Sequence, residues 1–183
     1  MAGKLILYIA CSLDGYIAEA DGGIGFLEEN PTPMTALGYD AFYASVSTLI
    51  MGGTTYRQIA NELSPEKWLY AGKTTYVYTN FPIEESDDIK KASLPPCQLL
   101  EYIRKIRKIQ KTAADDIWLV GGGEIIRLFM AENLIDEYRI YVMPKLLGNG
   151  IPLFPATFPP CSLQLHSVQQ IDDIAELTYR RRC

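Results

Sequence analysis

Two segments of the chain share one pattern: a short apolar run, a glycine cluster, then residues suited to open a helix. The first is Leu49-Ile50-Met51-Gly52-Gly53-Thr54-Thr55-Tyr56, and the second is Trp118-Leu119-Val120-Gly121-Gly122-Gly123-Glu124-Ile125. Each apolar run reads as a strand buried on both faces. Such strands belong to parallel sheets, which need crossover helices on their faces. Two junctions of this kind imply an α/β fold with a largely parallel sheet. They also put glycine where the backbone can approach a ligand closely. The first N–H groups of the following helix are unpaired there and attract phosphate. Thr54 and Thr55 add hydroxyl donors. One glycine turn is weak evidence, because glycines also simply turn the chain. Two in one sheet favour a ligand with two phosphates, such as a dinucleotide.

The remaining pattern fits this architecture. Residues 4–11 read as a buried strand, 16–18 as a short extended piece and Asp21–Gly25 as a loop. Asn30-Pro31-Thr32-Pro33 breaks regular structure, and Thr35 can cap a helix over 36–46 with Tyr39, Phe42, Tyr43 and Val46 on one side. Ser47–Met51 is the strand of the first junction, whose helix runs to about Glu62. Thr74–Thr79 is β-branched and aromatic, hence a strand. An amphipathic helix over Cys97–Lys111 puts Leu99, Ile103, Ile106 and Ile109 on one face. Its Arg104–Lys111 basic cluster is most simply the wet face. Ile117–Val120 is the strand of the second junction, and its helix covers Glu124–Glu132. Asp136–Lys145 is a long strand, and Leu163–Ile171 and Ile174–Arg182 form a closing hairpin around Asp172-Asp173.

With 183 residues, 48% hydrophobic and 21% charged, the chain is expected to be a single domain, 1–183, with its own core. A net charge of −5 argues against a nucleic-acid partner. The four cysteines (Cys11, Cys97, Cys161 and Cys183) form no C-x-x-C pair, and His166 is the one histidine, so no metal site is expected. Cys11 reads as a buried free thiol, and a cytoplasmic setting fits the lack of a disulfide framework. The first apolar run is too short to span a membrane and lacks the small-residue cleavage pattern of a signal peptide. No membrane partner is expected. His166 sits in a polar–apolar alternation and reads as a surface residue.

Two phosphate-binding patterns fail. In G-x-G-x-x-G the third glycine would fall on Ile126. Gly72-Lys73-Thr74 looks like the tail of a P-loop, but Lys67 stands where the earlier glycine should be and a strand follows. A kinase-like or ligase-like enzyme therefore lacks its machinery.

In order and spacing, three segments resemble the dihydrofolate-reductase-like superfamily: Ser12-Leu13-Asp14-Gly15-Tyr16-Ile17-Ala18, Ile50 to Tyr56, and Val120 to Glu124. Asp136-Glu137-Tyr138, leading to Pro144-Lys145-Leu146-Leu147-Gly148-Asn149-Gly150, is similar to the riboflavin-biosynthesis reductase branch and its stand-alone relatives. The resemblance covers almost the whole chain. It implies a three-layer α/β/α fold, a mixed and mostly parallel sheet, and a C-terminal antiparallel hairpin. It also implies an NADPH-dependent oxidoreductase passing hydride to a small cyclic C=N or C=O substrate, pterin-like or a ribosylaminopyrimidine. A homodimer is implied too, and the apolar stretch Leu146–Phe154 would suit the contact between copies. The chain's length implies no fused deaminase domain.

By matching position, Gly52, Gly53, Thr54 and Thr55, with Val120, Gly121, Gly122, Gly123, Glu124 and Ile125, would hold the pyrophosphate and line the nicotinamide side. Ala10 and Ile17 would touch the nicotinamide, and Thr79 and Asn80 would lie near the adenosine ribose and its 2′-phosphate. Phe26 and Tyr43 are the expected substrate contacts, and Asp40 and Asp14 the candidate catalytic acids.

The chain departs from the pattern in several places. Folate reductases usually carry a basic residue where this chain has Gly53, and Arg57, one helical turn on, is available instead. Their substrate-protonating acid would fall at Ala36–Gly38; Asp40 is the nearest carboxylate, so the proton would come from Asp40 or an ordered water. The acid that riboflavin-type reductases often place before the glycine pair is Gly121 here, and a tryptophan common in stand-alone relatives is replaced around Gly25-Phe26-Leu27. Asp40 also fits a solvated or capping acid at a helix start. Asp14 could order the Asp21–Gly25 loop or bond substrate, yet Asp14-Gly15 is a good turn on its own, the favoured reading. The competing function is a nucleotide-binding module without turnover.

Overall fold

In the computed structural model, residues 3–110, 116–155 and 157–182 are described, without the side chains of 107–110. The elements in chain order are β1 (Leu5–Ser12), β2 (Tyr16–Ala18), α1 (Gly25–Glu28), α2 (Tyr39–Ser45), β3 (Val46–Gly52) and α3 (Gly53–Gln58), which continues as a π-helical turn over Ile59–Leu63. There follow β4 (Thr74–Tyr78), β5 (Ile89–Lys91), α4 (Pro96–Gln110), β6 (Asp116–Gly121), α5 (Gly123–Ala131), β7 (Glu137–Met143), β8 (Ile151–Pro152), β9 (Leu163–Ile171) and β10 (Ile174–Arg181).

Apolar runs become buried strands, as their composition dictates: all seven residues of β3 are buried. Eight strands form one sheet in the order β5-β4-β3-β6-β1-β7-β10-β9. From β5 to β7 every pairing is parallel, and β10 runs antiparallel to both β7 and β9. The fold is the expected three-layer α/β/α arrangement with a mixed sheet and a terminal hairpin. Alternation along the strands divides the core in two. On one face, Leu99, Leu100 and Ile103 of α4 and Ile126 and Phe129 of α5 pack against Leu5, Leu7 and Leu119. On the other, Phe26, Phe42 and Ile59 cover Ile6, Tyr8, Trp118 and Tyr141.

Several local expectations change. The helix expected over 36–46 begins only at Tyr39, with Gly38 as its N-cap at φ 68°. Turns over Pro33–Gly38 consume the segment that Thr35 was expected to cap. Val46 joins β3 instead of the helix. A short helix, α1, follows the expected glycine loop and buries Phe26. Strands β5 and β8 were not expected, being only three and two residues long. β8 pairs with β2 in a small second sheet. There Gly150 lies against the Ala18 carbonyl, where a side chain has no room.

The expected strand over 136–145 is shortened at both ends. Asp136 turns its carboxylate to the Leu5 amide (2.9 Å) and to Arg104 and Arg181. Of the expected helix over Cys97–Lys111, Lys111 and the side chains of Arg107, Lys108 and Ile109 lie outside the described residues, as does Cys183. His166 is exposed on β9, and Leu146 and Phe154 are exposed in the loop region that was expected to contact a second copy. Among the described residues no helix is long and apolar enough to cross a membrane.

Candidate functional site

The two glycine junctions sit side by side because their strands, β3 and β6, are neighbours in the parallel sheet. A β-carbon on Gly52 would lie 2.9 Å from the Ile125 side chain, and one on Gly122 would lie 3.5 Å from the Thr55 hydroxyl. Each glycine thus faces the opening residues of the other junction's helix. Neither helix start is capped by a side chain. In α5 the Ile125 and Ile126 amides both donate to the Gly122 carbonyl (3.0 and 3.1 Å). The Gly123 and Glu124 amides are therefore the ones without an acceptor in the helix, as are the first amides of α3. The Gly121–Gly122 peptide bond is cis.

A cleft of about 990 Å³ opens over this edge, at the upper end of the roughly 300–1,000 Å³ usual for small-molecule sites. Its lining includes Gly52, Gly53, Thr54 and Thr55 from the first junction and Val120, Gly122, Gly123, Glu124 and Ile125 from the second. Ala10, Ile17, Thr79 and Asn80 line the same cleft. One cavity thus brings together all the expected cofactor positions except Gly121, which is absent from its lining. Arg57 joins them: its guanidinium reaches Thr54 (3.4 Å) and lies 5.4 Å from the centre of the Phe81 ring.

The residues singled out for chemistry are placed elsewhere. Asp14, Asp40, Phe26 and Tyr43 do not line the cleft. Asp40 is exposed at the start of α2. Phe26 is buried in the core beneath α1, and Tyr43 stacks on Tyr39 with centroids 5.6 Å apart. Asp14 accepts from the Ser12 hydroxyl (2.6 Å) and from the amides of Leu147 (3.1 Å) and Gly148 (2.7 Å). The Ser12 hydrogen bond, with those two amides, holds its carboxyl below the usual range. In this geometry Asp14 ties the turn after β1 to the loop after β7.

Sequence reading missed the aromatic wall. Tyr8, Tyr39, Tyr70, Trp118 and Tyr141 line the deep end of the cleft. Three of them come from adjacent strands β1, β6 and β7, and each precedes a second lining residue by two positions: Ala10, Val120 and Met143. That period-two pairing puts them on one sheet face. The signal was visible in each strand, but only the pairing of the strands unites the three.

Comparison with known proteins agrees with this architecture. A profile of the RibD C-terminal domain matches residues 67–175. The uncharacterized protein YwjB of Bacillus subtilis (strain 168) is 36% identical over 182 residues, spanning 99% of both chains. The crystal structure of a Shewanella sp. PV-4 protein provisionally assigned to riboflavin biosynthesis is 30% identical, covers all of both chains and superposes with a TM-score of 0.77. A Thermotoga maritima diaminohydroxyphosphoribosylaminopyrimidine deaminase/5-amino-6-(5-phosphoribosylamino)uracil reductase shares the fold, with a TM-score of 0.67 at 18% identity. That match covers 99% of this chain but 57% of the Thermotoga protein.

Proposed function

The chain belongs to the RibD C-terminal domain family, and on that premise we propose that it is an NADPH-dependent reductase acting on a small cyclic C=N or C=O compound. The observation that carries this reading is the meeting of two uncapped helix starts at one cleft. Their amides, with the Thr54 and Thr55 hydroxyls, fit a pyrophosphate. Ala10 and Ile17 offer apolar contact to a nicotinamide, and Thr79, Asn80 and Arg57 suit the adenosine ribose and its 2′-phosphate. NADPH, when bound, supplies the hydride. The protein's part is to hold the two reacting rings together, exclude water from the aromatic end and leave proton delivery to water at the mouth. Pterin-like and ribosylaminopyrimidine compounds are the substrate classes in question.

The first test is a titration with NADPH and NADH, following energy transfer from tryptophan to the reduced nicotinamide. Trp118 lines the cleft and should report binding. Saturable binding with NADPH preferred supports the reading; no binding of either removes it. One observation favours a second reading, a nucleotide-binding protein without turnover: neither candidate acid lines the cleft. Oxidation of NADPH with a pterin or ribosylaminopyrimidine decides between the two. A homodimer through Leu146–Phe154 is a further part of the proposal, tested by sedimentation velocity of the native chain and of Leu146→Asp.

A further inference from the structure

The deep end of the cleft restricts what can bind beside the cofactor, given the reductase reading on which this inference rests. Its floor is the sheet face carrying Tyr8, Trp118 and Tyr141. Ring centroids lie 6.1 Å apart for Tyr8 and Trp118 and 4.9 Å for Tyr8 and Tyr141. Tyr39 and Tyr70 extend the wall, at 6.0 Å and 5.4 Å from Trp118. The polar edges of the floor are already used. Both the Tyr8 and Tyr141 hydroxyls donate to the Leu37 carbonyl (3.2 and 2.9 Å), and the Trp118 indole donates to the Tyr8 carbonyl (3.0 Å). Phe42 stacks on Tyr8, with centroids 4.1 Å apart, so the floor shows only narrow apolar edges, 3–6% exposed. The half-buried Tyr39, with the phenol of Tyr70, supplies the accessible ring and polar contacts. Burial, with neighbouring Tyr43, Tyr8 and Asp40, pushes the Tyr39 phenol up to about 12, so it stays a donor at neutral pH.

Charge is distributed in the opposite way. Among the described lining residues the charged ones are Glu28, Arg57 and Glu124. Arg57, the one cation, lies over Phe81 beyond the end of β4, bonded to Thr54 at the glycine junction. Glu124 pairs with Arg127. Lys73 and Arg139, which lie against the Tyr43 and Phe42 rings, do not line the cleft. A phosphate ester at the aromatic end would therefore lose hydration with no lining cation among the described residues to replace it. A flat neutral ring would gain aromatic contact and a phenol hydrogen bond.

We propose that the aromatic end of this cleft takes a flat, uncharged, unphosphorylated heterocycle, and that it discriminates against phosphoribosylated pyrimidines of the kind the Thermotoga enzyme's name describes.

The test uses the native chain saturated with NADP+, so that binding is read without turnover. The ligands are 5-amino-6-(5-phosphoribosylamino)uracil, its dephosphorylated nucleoside, and dihydropterin, each titrated by calorimetry. The inference expects the nucleoside or the pterin to bind at least about tenfold tighter than the phosphate ester, a difference of about 1.4 kcal/mol. Equal or tighter binding of the ester overturns it, as does binding of none of the three. Met34 is an exposed lining residue, so Met34→Arg adds a cation at little cost to folding. This variant should gain affinity for the ester alone; a gain for all three ligands, or for none, contradicts the charge argument. The separate tryptophan titration distinguishes the failures. If NADPH does not bind, the reductase reading falls and this inference with it; if NADPH binds and the ester is preferred, only this inference falls.

Discussion

Gly53 and Thr79 are packed so closely that a β-carbon on Gly53 would lie 2.6 Å from the Thr79 hydroxyl and 2.7 Å from its β-carbon. Thr79 follows β4, the strand beside β3, and fills the space that a side chain at position 53 would need. Gly53→Ala should therefore force the two segments apart and lower stability by about 1–3 kcal/mol, the usual cost of overpacking. Urea unfolding of the variant reads this directly. An unchanged midpoint would mean that the backbone carrying Thr79 can shift aside without cost, since rotating its side chain moves the hydroxyl but not the β-carbon.

The same crowding explains where a basic group can stand. Arg57 brings a guanidinium nitrogen to 3.5 Å from the β-carbon position of Gly53. If it takes the 2′-phosphate, Arg57→Ala should weaken NADPH binding by about tenfold or more, the scale of a lost charge-assisted hydrogen bond. NADH affinity should change by less than about twofold, having no such phosphate to lose. Equal losses for both cofactors would assign Arg57 a structural role.

Asp14 is a tie between two loops, and its carboxyl lies below the ordinary range. A depressed folded pKa means that the group's contribution is fully present above its unfolded pKa and is lost as pH falls through the folded one. Asp14→Asn should unfold at a lower temperature than the native chain at neutral pH. The gap should close as pH falls through the acid range below the carboxyl's ordinary value. A gap independent of pH would remove the charge from the explanation.

Glu137 is 1% exposed and holds three cations: Arg139 at 2.7 Å, Arg180 at 3.0 Å and Lys4 at 3.3 Å. Burial pushes its carboxyl up, but Arg139, then Arg180 and Lys4, more than offset this, and the net shift is downward. Glu137→Gln should cost roughly 2–4 kcal/mol, somewhat less than a wholly buried pair, because its partners are partly exposed. Chemical denaturation checks the magnitude. By the same linkage sign as Asp14, the native chain should lose this contribution only in acid, as pH falls through the lowered pKa.

Cys11 is 4% exposed, and burial, with Asp14 nearby, pushes its thiol up to about 11. The thiolate is the reactive form. Cys11 should therefore resist alkylation at neutral pH in the folded protein and react once the chain is unfolded, as mass spectrometry of labelled peptides would show. Rapid labelling of Cys11 under native conditions would reveal an opening of β1 that the structure does not show.

The glycine junctions, the buried strands beside them and the closing hairpin were legible in the sequence because each is a local signal. An apolar run bounded by glycine, or a β-branched alternation around Asp172-Asp173, states its own conformation. Short elements such as β5 and β8 carry too few residues for a pattern, so pairing with a neighbour alone defines them. Gly38 moved the start of α2 to Tyr39 because its left-handed backbone ends the preceding turns, a feature that helical spacing across 36–46 concealed. Sequence by itself determined the fold class and singled out the glycine-junction residues that converge on one cleft. Tertiary structure alone decided which side chains reach its deep end. Tyr8, Trp118 and Tyr141 are far apart in the chain and share a wall because β1, β6 and β7 are neighbours in the sheet. Asp40 follows Tyr39 directly but leaves the wall, because a helix turns successive residues in different directions, whereas Tyr43, one turn on, stacks on Tyr39 without lining the cleft.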